Sequence, residues 1–198
     1  MTSPVAVLIG PPGAGKSTVG PLLAALLGAP FAETDALVED VAGKPVSDIF
    51  ISDGEPAFRA LERAAVARAL ASHPGIVALG GGAVMDPATQ QLLAGQRVVY
   101  LQTGFTAAVQ RVGLDTPRPL LLGNPRAQMR DLLAQRLPVY ESLAAITVTT
   151  DDRDPQEIAD EIAATVTARI AAAAGEGAGT GAEDDAEPAG WDNEGEGA

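Results

Sequence analysis

The residues best suited to chemistry lie near the start of the chain, in the glycine-rich segment Gly10–Thr18. Within it, Gly10, Gly15, Lys16 and Ser17 fit the pattern G-x-x-x-x-G-K-[ST]. Glycines let backbone N–H groups converge on phosphate oxygens, Lys16 can reach the β- and γ-phosphates, and Ser17 can ligate Mg²⁺. The segment predicts a bound nucleoside triphosphate. The alternative, a turn without a ligand, is disfavoured because strand, loop and helix follow in the required order.

Two acids follow a second short strand, predicted over Pro30–Ala32. In open parallel sheets ligands bind beyond the carboxyl ends of the strands, so Glu33 and Asp35 are expected near the phosphate loop. Acids there suit water-mediated Mg²⁺ binding and acceptance of a proton from a substrate hydroxyl. The alternative is that Thr34 or Asp35 caps the next helix. Capping and function can coexist, and the functional interpretation is favoured.

Further polar and glycine positions are less specific taken alone. Three glycines, Gly80–Gly82, end a predicted strand and allow backbone to approach a ligand closely, although a flexible turn is the alternative. The long loop 113–125 contains Arg118 and follows Arg111, which suits a lid that closes arginines over phosphates. Arg59 lies off the apolar stripe of a helix predicted over Glu55–Ala71, and this pattern alone favours a surface charge.

Five apolar strands alternate with helices along the chain. The strands are predicted over 5–9, 30–32, 76–79, 97–101 and 146–149. This alternation predicts an α/β fold with a parallel sheet covered on both faces. Pro138 is expected to kink or interrupt a helix over 126–143, and a last helix is predicted over 155–172.

Composition limits the partners. The 198 residues carry a net charge of −13, and the segment from 170 to 198 holds eight acids and no Lys or Arg. The remaining 18 acids and 13 bases give residues 1–169 a net charge of −5, so we expect no nucleic-acid partner. We predict a folded domain over 1–172 and a disordered acidic Gly/Ala-rich tail over 173–198. Without cysteine, a long apolar run or a secretory signal, a cytoplasmic enzyme with no membrane partner is expected.

The order and spacing of these pieces resemble the shikimate kinase family, relatives of the nucleoside monophosphate kinases, over about residues 4–169. The phosphate loop alone is shared by many enzymes. More specific are Gly-Glu-x-x-Phe-Arg ending at Arg59, Gly-Gly-Gly-Ala at 80–83, and Arg-x-Pro-x-Tyr from Arg136 to Tyr140. The resemblance implies a five-stranded parallel sheet in the order 2-3-1-4-5, a substrate-binding subdomain after the second strand and a mobile lid.

The resemblance also implies the reaction: transfer of the γ-phosphoryl group of ATP to the 3-hydroxyl of shikimate. We expect the protein to act as a monomer. Asp35 would hydrogen-bond the shikimate hydroxyls and help take up the proton of the nucleophile. Arg59 and Arg136 would hold the shikimate carboxylate, which reverses the surface interpretation of Arg59. The backbone of Gly80, Gly81 and Gly82 would line the same pocket.

ATP is implied at a second set of positions. Its phosphates would lie on Gly13, Ala14, Gly15, Lys16, Ser17 and Thr18, and its adenine among Arg111, Arg153 and Pro155. Arg118 would stabilise the transferring phosphoryl group together with Lys16. Mg²⁺ would be held by Ser17 and Glu33. Here the chain departs from the family, which commonly has Asp-x-Asp after strand two; Glu33 keeps the charge but is one methylene longer, and we expect it to contact Mg²⁺ through water.

Two other functions fit part of the pattern. One is a kinase of the same architecture for gluconate or a nucleotide. The other is a GTPase switch or an ATP-dependent interaction protein that uses the acidic tail to dock. A D-x-x-G sequence begins at Asp40, but the chain has no N-K-x-D for guanine.

Overall fold

The computed structural model describes residues 3–113 and 125–177. Its sheet contains five parallel strands in the order β2-β3-β1-β4-β5, which confirms the predicted fold. The strands are β1 (Ala6–Ile9), β2 (Phe31–Glu33), β3 (Ile76–Ala78), β4 (Val98–Gln102) and β5 (Ile146–Thr149). β1 lies at the centre, where Val7 pairs with Val77 on one side and Val98 on the other.

Eight α-helices connect and extend these strands within the described residues. They are α1 (Lys16–Leu26), α2 (Thr34–Ala42), α3 (Val46–Ser52), α4 (Glu55–Ser72), α5 (Pro87–Leu93), α6 (Phe105–Arg111), α7 (Pro125–Leu143) and α8 (Pro155–Gly177), with a short 3-10 helix at Ala83–Met85. Across residues 3–113 and 125–177, none of the helices has the length and apolar character needed to cross a membrane.

Alternation along β1 divides the core into two layers. Ala6 and Leu8 pack with residues of α1 and α8, whereas Val7 and Ile9 pack with residues of α4, α5 and α7. Successive strand side chains point to opposite faces, and both faces of β1 are buried because helices cover each of them. This arrangement holds the carboxyl ends of β1, β2 and β3 rigidly at one edge of the sheet.

A smaller apolar cluster supports the crossover from β2 to β3. Val38 of α2, Ile49 of α3 and Phe58 of α4 are buried together, and the rings of Phe50 and Phe58 lie 4.6 Å apart. The cluster fixes the start of α4, which carries Arg59, relative to the end of β2.

Two helices differ in extent from the prediction. α7 runs through Pro138 without interruption, so of the two predicted effects of this proline only a kink stays a prediction. Its Ala134, whose carbonyl loses the hydrogen bond that Pro138 cannot donate, is exposed, so water can bond that carbonyl instead. α8 extends beyond the predicted end at Ala172 to Gly177, the last described residue, because alanine, the strongest helix former, fills positions 171–174. Residues 173–177, which were assigned to the disordered tail, are therefore helical.

By its packing the chain divides into a compact unit that ends at Val166 and a second unit that begins at Thr167. The part of the second unit that the structure describes is the helical segment up to Gly177. The predicted lid, apart from its two end residues, and the predicted tail beyond residue 177 lie outside the described residues.

Candidate active site

The phosphate loop occupies the turn from β1 into α1, as predicted. Gly15 has φ 93°, a conformation that glycine adopts readily, and it precedes the first helical residue, Lys16. The Lys16 ammonium donates hydrogen bonds to the carbonyl oxygens of Gly10 at 2.7 Å and Pro11 at 3.1 Å. Burial lowers the pKa of Lys16 to about 8, an effect that the carboxylates of Asp35 and Glu33 partly oppose. The Lys16 side chain therefore folds back over the loop and bonds its first two residues.

A cavity of about 400 Å³ opens beside this loop. It joins residues from the ends of β1, β2 and β3 with one arginine from α6. The predicted site residues that line it are Gly13, Gly15, Lys16, Ser17, Thr18, Glu33, Asp35, Gly80, Gly81 and Arg111. The convergence agrees with the rule that ligands of open parallel sheets bind at the carboxyl ends of the strands.

Ser17 and Glu33 meet on one wall of this cavity. The Ser17 hydroxyl donates to Glu33 Oε1 at 2.5 Å, although Glu33 is longer than the aspartate common in the family. Among the described residues no group of three or more His, Cys, Asp or Glu side chains could hold a metal ion. Mg²⁺, however, usually takes one or two protein oxygens together with substrate phosphates and water. A hydroxyl and a carboxylate beside a phosphate loop fit that requirement.

Asp35 lies in the first turn of α2, two residues beyond the position where a capping side chain would act. The N-cap position belongs to Glu33, whose side chain makes no capping hydrogen bond, so the capping interpretation of Thr34 and Asp35 is wrong. Thr34 is fully buried, and its hydroxyl oxygen accepts a hydrogen bond from the Gly80 N–H at 2.9 Å. That bond fastens the ends of β2 and β3 together and leaves Asp35 facing the cavity. Burial raises the pKa of Asp35, with Lys16 opposing the shift.

The glycines after β3 leave room for functional side chains. A Cβ atom on Gly80 would lie 2.5 Å from Asp35 Oδ1 and 2.8 Å from Glu62 Oε1. A Cβ atom on Gly82 would lie 2.6 Å from Nη1 of Arg59. The sequence predicted a close approach of backbone to a ligand. The structure adds a close approach of Asp35, Glu62 and Arg59 to that backbone.

Arg59 is not a simple surface charge. Its side chain is 30% exposed and forms an ion pair of 2.7 Å with Glu62, whose side chain is only 5% exposed. Burial raises the pKa of Glu62, and the neighbouring Arg59 opposes the shift. Glu55, one turn earlier, contacts the same guanidinium. Sequence reasoning missed Glu62, although its position three residues after Arg59 is the spacing at which helical side chains meet.

A second cavity, of about 460 Å³, contains these groups. Arg59, Glu62 and Gly82 line it together with Arg136 of α7. The two arginines expected to hold a carboxylate therefore face one space, and Gly80–Gly82 run from the phosphate-loop cavity to this one.

Tyr140 ties α7 to the glycine segment. Its hydroxyl donates to the Gly81 carbonyl at 2.5 Å, and its ring stacks on Tyr100 with 5.2 Å between centroids. Burial raises the pKa of Tyr140 to about 12, so it remains a protonated donor at neutral pH. Sequence reasoning gave Tyr140 no role. The pattern that could have identified it is the spacing Arg-x-Pro-x-Tyr, which places it one helical turn after Arg136.

The other predicted ATP positions are distributed around the loop. Arg111 donates to the Gly13 carbonyl at 3.2 Å and to the Thr150 carbonyl at 2.6 Å. Arg153 donates to the Thr149 carbonyl and pairs with Glu161 at 2.7 Å, while Pro155 begins α8. Neither Arg153 nor Pro155 is among the residues that line the phosphate-loop cavity. The Ala14 side chain is buried in the core, and Arg118 lies outside the described residues.

Fold and site together define the class. A five-stranded parallel sheet, a phosphate loop and an acid at the end of the neighbouring strand are the parts of a P-loop kinase that acts on a small molecule.

Comparison with known proteins narrows the class. The sequence model of the family described as shikimate kinase matches residues 12–167. The chain is 62% identical to the shikimate kinase of Thermobifida fusca over 157 residues, 79% of this chain and 91% of that protein. It is 56% identical to the shikimate kinase of Salinispora arenicola over 80% of this chain and 95% of that protein.

A solved structure of a shikimate kinase is also similar to this chain. The shikimate kinase from Acinetobacter baumannii, in complex with shikimate, superposes with a TM-score of 0.77 at 34% identity, over 85% of this chain and 95% of that one. The chain belongs to the shikimate kinase family.

Proposed function

We propose that this enzyme transfers the γ-phosphoryl group of ATP to the 3-hydroxyl of shikimate, giving shikimate 3-phosphate and ADP. One observation carries the proposal: the cavity that holds Lys16 and Asp35 adjoins, through Gly80–Gly82, a cavity that holds Arg59 and Arg136. A loop that binds the phosphates of the donor, a carboxylate that can accept the proton of a hydroxyl, and two arginines that can bind a carboxylate thus lie along one stretch of backbone.

The acceptor is held at its carboxylate. Arg59 and Arg136 supply two guanidinium groups, whose planar forks match a carboxylate better than a lysine does. Glu62 and Gly82 support this anchor, the first by its ion pair with Arg59 and the second by the room that it leaves for that guanidinium. Shikimate anchored there directs its hydroxyls toward Asp35.

In the transfer step, the 3-hydroxyl oxygen forms a bond to the γ-phosphorus as the bond from that phosphorus to the β–γ bridging oxygen breaks. Asp35 hydrogen-bonds the hydroxyl and accepts its proton, and ADP leaves with the bridging oxygen. Lys16 and the backbone N–H groups of the loop stabilise negative charge on the moving phosphoryl group. Positioning and charge neutralisation account for most of the rate enhancement in this class of reaction.

Mg²⁺ is the metal that we propose for this site, held by the Ser17 hydroxyl and, through water, by Glu33. When bound, the ion neutralises charge on the β- and γ-phosphates. The hydrogen bond between Ser17 and Glu33 supports the proposal because it shows that both oxygens reach the same point in the cavity.

ATP is the co-substrate, and we propose its adenine site among Arg111, Arg153 and Pro155. The hydrogen bonds of Arg111 to Gly13 and Thr150 support this, because they bring the guanidinium to the edge of the phosphate loop. For Arg118, which lies outside the described residues, the role proposed from the family resemblance is stabilisation of the transferring phosphoryl group.

The proposed working form is a cytoplasmic monomer without a nucleic-acid or membrane partner. The net charge of −5 over residues 1–169 disfavours binding to a polyanion.

A coupled ADP-release assay tests the proposal. Turnover with ATP and shikimate, and very little ADP release without shikimate, are the expected results. Gluconate and nucleoside monophosphates as acceptors provide the comparison. Activity with one of those and none with shikimate would overturn the assignment.

A further inference from the structure

Glu55 begins α4 and belongs to the Gly-Glu-x-x-Phe-Arg segment, but the reaction above gives it no role. Its Oε1 atom lies 3.2 Å from Nε and 3.0 Å from Nη2 of Arg59. These two nitrogens form the side edge of the guanidinium, one of the two edges on which a carboxylate can bind in bidentate fashion. Glu55 therefore occupies a carboxylate position on the residue that is proposed to bind the substrate carboxylate.

The other edge of the guanidinium is not open. A Cβ atom on Gly82 would lie 2.6 Å from Nη1, 3.1 Å from Nη2 and 3.2 Å from Cζ of Arg59. Because this point is nearer to both terminal nitrogens than to the central carbon, Gly82 faces the end edge of the fork. Glu62 holds Nη1 at 2.7 Å. The side edge held by Glu55 is thus the one where an incoming carboxylate can make two parallel hydrogen bonds.

The two glutamates differ in their freedom to leave. The Glu62 side chain is 5% exposed, and its withdrawal would leave a buried charge without its partner. The Glu55 side chain is 62% exposed and lies in the first turn of α4, where water and the helix N-terminus can both stabilise a free carboxylate. Replacement of a glutamate by the substrate carboxylate on Arg59 therefore costs less free energy when Glu55 leaves than when Glu62 leaves.

Charge balance in the cavity points the same way. The cavity is lined by three positive side chains, Arg59, Arg63 and Arg136, and by three negative ones, Glu55, Glu62 and Asp86. A substrate carboxylate would add a fourth negative charge. Withdrawal of Glu55 into water restores the balance.

We infer that Glu55 is a resident competitor for the substrate carboxylate: it holds the side edge of Arg59 in the free enzyme and is displaced when shikimate binds. This inference depends on the proposed function. It makes Glu55 a determinant of apparent affinity for shikimate, since each binding event must break the contact between Glu55 and Arg59.

The test is Glu55→Gln, assayed by initial rates with ATP and shikimate. Because an exposed ion pair is worth little, KM for shikimate is expected to fall roughly two- to fivefold. The turnover number and KM for ATP are expected to stay the same. An uncharged analogue, the methyl ester of shikimate, is expected to show no change in KM. In an Arg59→Ala background, Glu55→Gln is expected to have no effect.

Asp53→Asn is the matched control. Asp53 is also exposed, near the start of α4, but it pairs with Lys44. If Glu55→Gln leaves KM for shikimate unchanged or raises it, or if Asp53→Asn lowers it equally, the competitor role is wrong. Wild-type enzyme that fails to turn over shikimate overturns the proposed function and this inference together. Wild-type turnover with unaltered KM in Glu55→Gln overturns only the inference.

Discussion

The Ser17 hydroxyl donates a hydrogen bond of 2.5 Å to Glu33 Oε1, linking the start of α1 to the end of β2. The glutamate side chain, although longer than an aspartate, therefore places its carboxylate oxygen beside the Ser17 hydroxyl of the phosphate loop. Because Glu33 is proposed to hold water of the Mg²⁺ shell, Glu33→Ala is expected to weaken Mg²⁺ binding and so to raise the Mg²⁺ concentration that gives the half-maximal rate. Glu33→Asp, which restores the charge, is expected to recover most of the loss. Unchanged Mg²⁺ dependence in Glu33→Ala would exclude this role.

A second prediction concerns Asp35. Asp35→Asn removes the proton acceptor but keeps the side-chain volume, so kcat is expected to fall far more than ATP affinity. Burial raises the pKa of Asp35, and only the carboxylate can accept a proton. Activity should therefore fall on acidification through a pH range above that of an exposed aspartate. Rate profiles between pH 4 and 8 measure this limb. A near-normal kcat in Asp35→Asn would remove Asp35 from the reaction.

The sequence predicted five parallel strands correctly because strand type, helix alternation and the phosphate loop are all local patterns, whereas the strand order came from the family resemblance. Most strand and helix ends differ from the prediction by a residue or two, as at β4, which begins at Val98 rather than Arg97, whereas α8 reaches five residues further than predicted. The structural role of Thr34 could not be predicted from local patterns. Its hydroxyl oxygen accepts a hydrogen bond from the N–H of Gly80, 46 residues away, and only the pairing of β2 with β3 brings the two together.

Arg59 and Glu62 show a second limit of sequence reasoning. Their helix has a weak apolar stripe, and both residues lie off it, which predicts solvent exposure. Glu62 is nevertheless buried, because the glycine segment after β3 packs over that side of the helix. Burial of this polar face depends on the tertiary arrangement, which periodicity does not encode.

Glu62 carries a third prediction. Glu62→Gln keeps the size of the side chain but replaces its charged hydrogen bond to Arg59 with a neutral one. Hydrogen bonds to charged groups contribute about 1.5–3 kcal/mol, so KM for shikimate is expected to rise about tenfold or more, with a smaller change in kcat. Shikimate titration of the purified variant measures the effect. This direction is opposite to that expected for Glu55→Gln, and a fall in KM would contradict the anchoring role.

A fourth prediction follows from Lys16, whose pKa burial lowers to about 8 in the free enzyme. ATP phosphates favour the charged ammonium, so binding above pH 8 must take up a proton. The Kd for ATP should be constant below pH 8 and weaken by up to tenfold per pH unit above it. Calorimetry in buffers of different ionisation enthalpy measures the uptake. Lys16→Ala should abolish turnover and the pH dependence of binding alike, whereas a pH-independent Kd in wild type would contradict the shift.

The last prediction concerns Gly80, where a methyl group would meet two carboxylates. In Gly80→Ala the new Cβ would lie 2.5 Å from Asp35 Oδ1 and 2.8 Å from Glu62 Oε1, distances that force both side chains to move. Asp35 would lose its position relative to the phosphate loop, so kcat is expected to fall by a factor of about a hundred, the effect of a 1 Å displacement in a positioned site.

Gly95→Ala is the control for this variant. Gly95 has φ 78° and nothing within 4 Å of its Cβ position, so alanine there strains the backbone without touching the site. It should lower the melting temperature and leave kcat unchanged. Gly80→Ala should instead lower kcat and retain the helical circular dichroism signal. The fold is expected to persist because the displaced carboxylates can move into the cavity rather than into the core. Full activity in Gly80→Ala would mean that the position of Asp35 does not limit the transfer step.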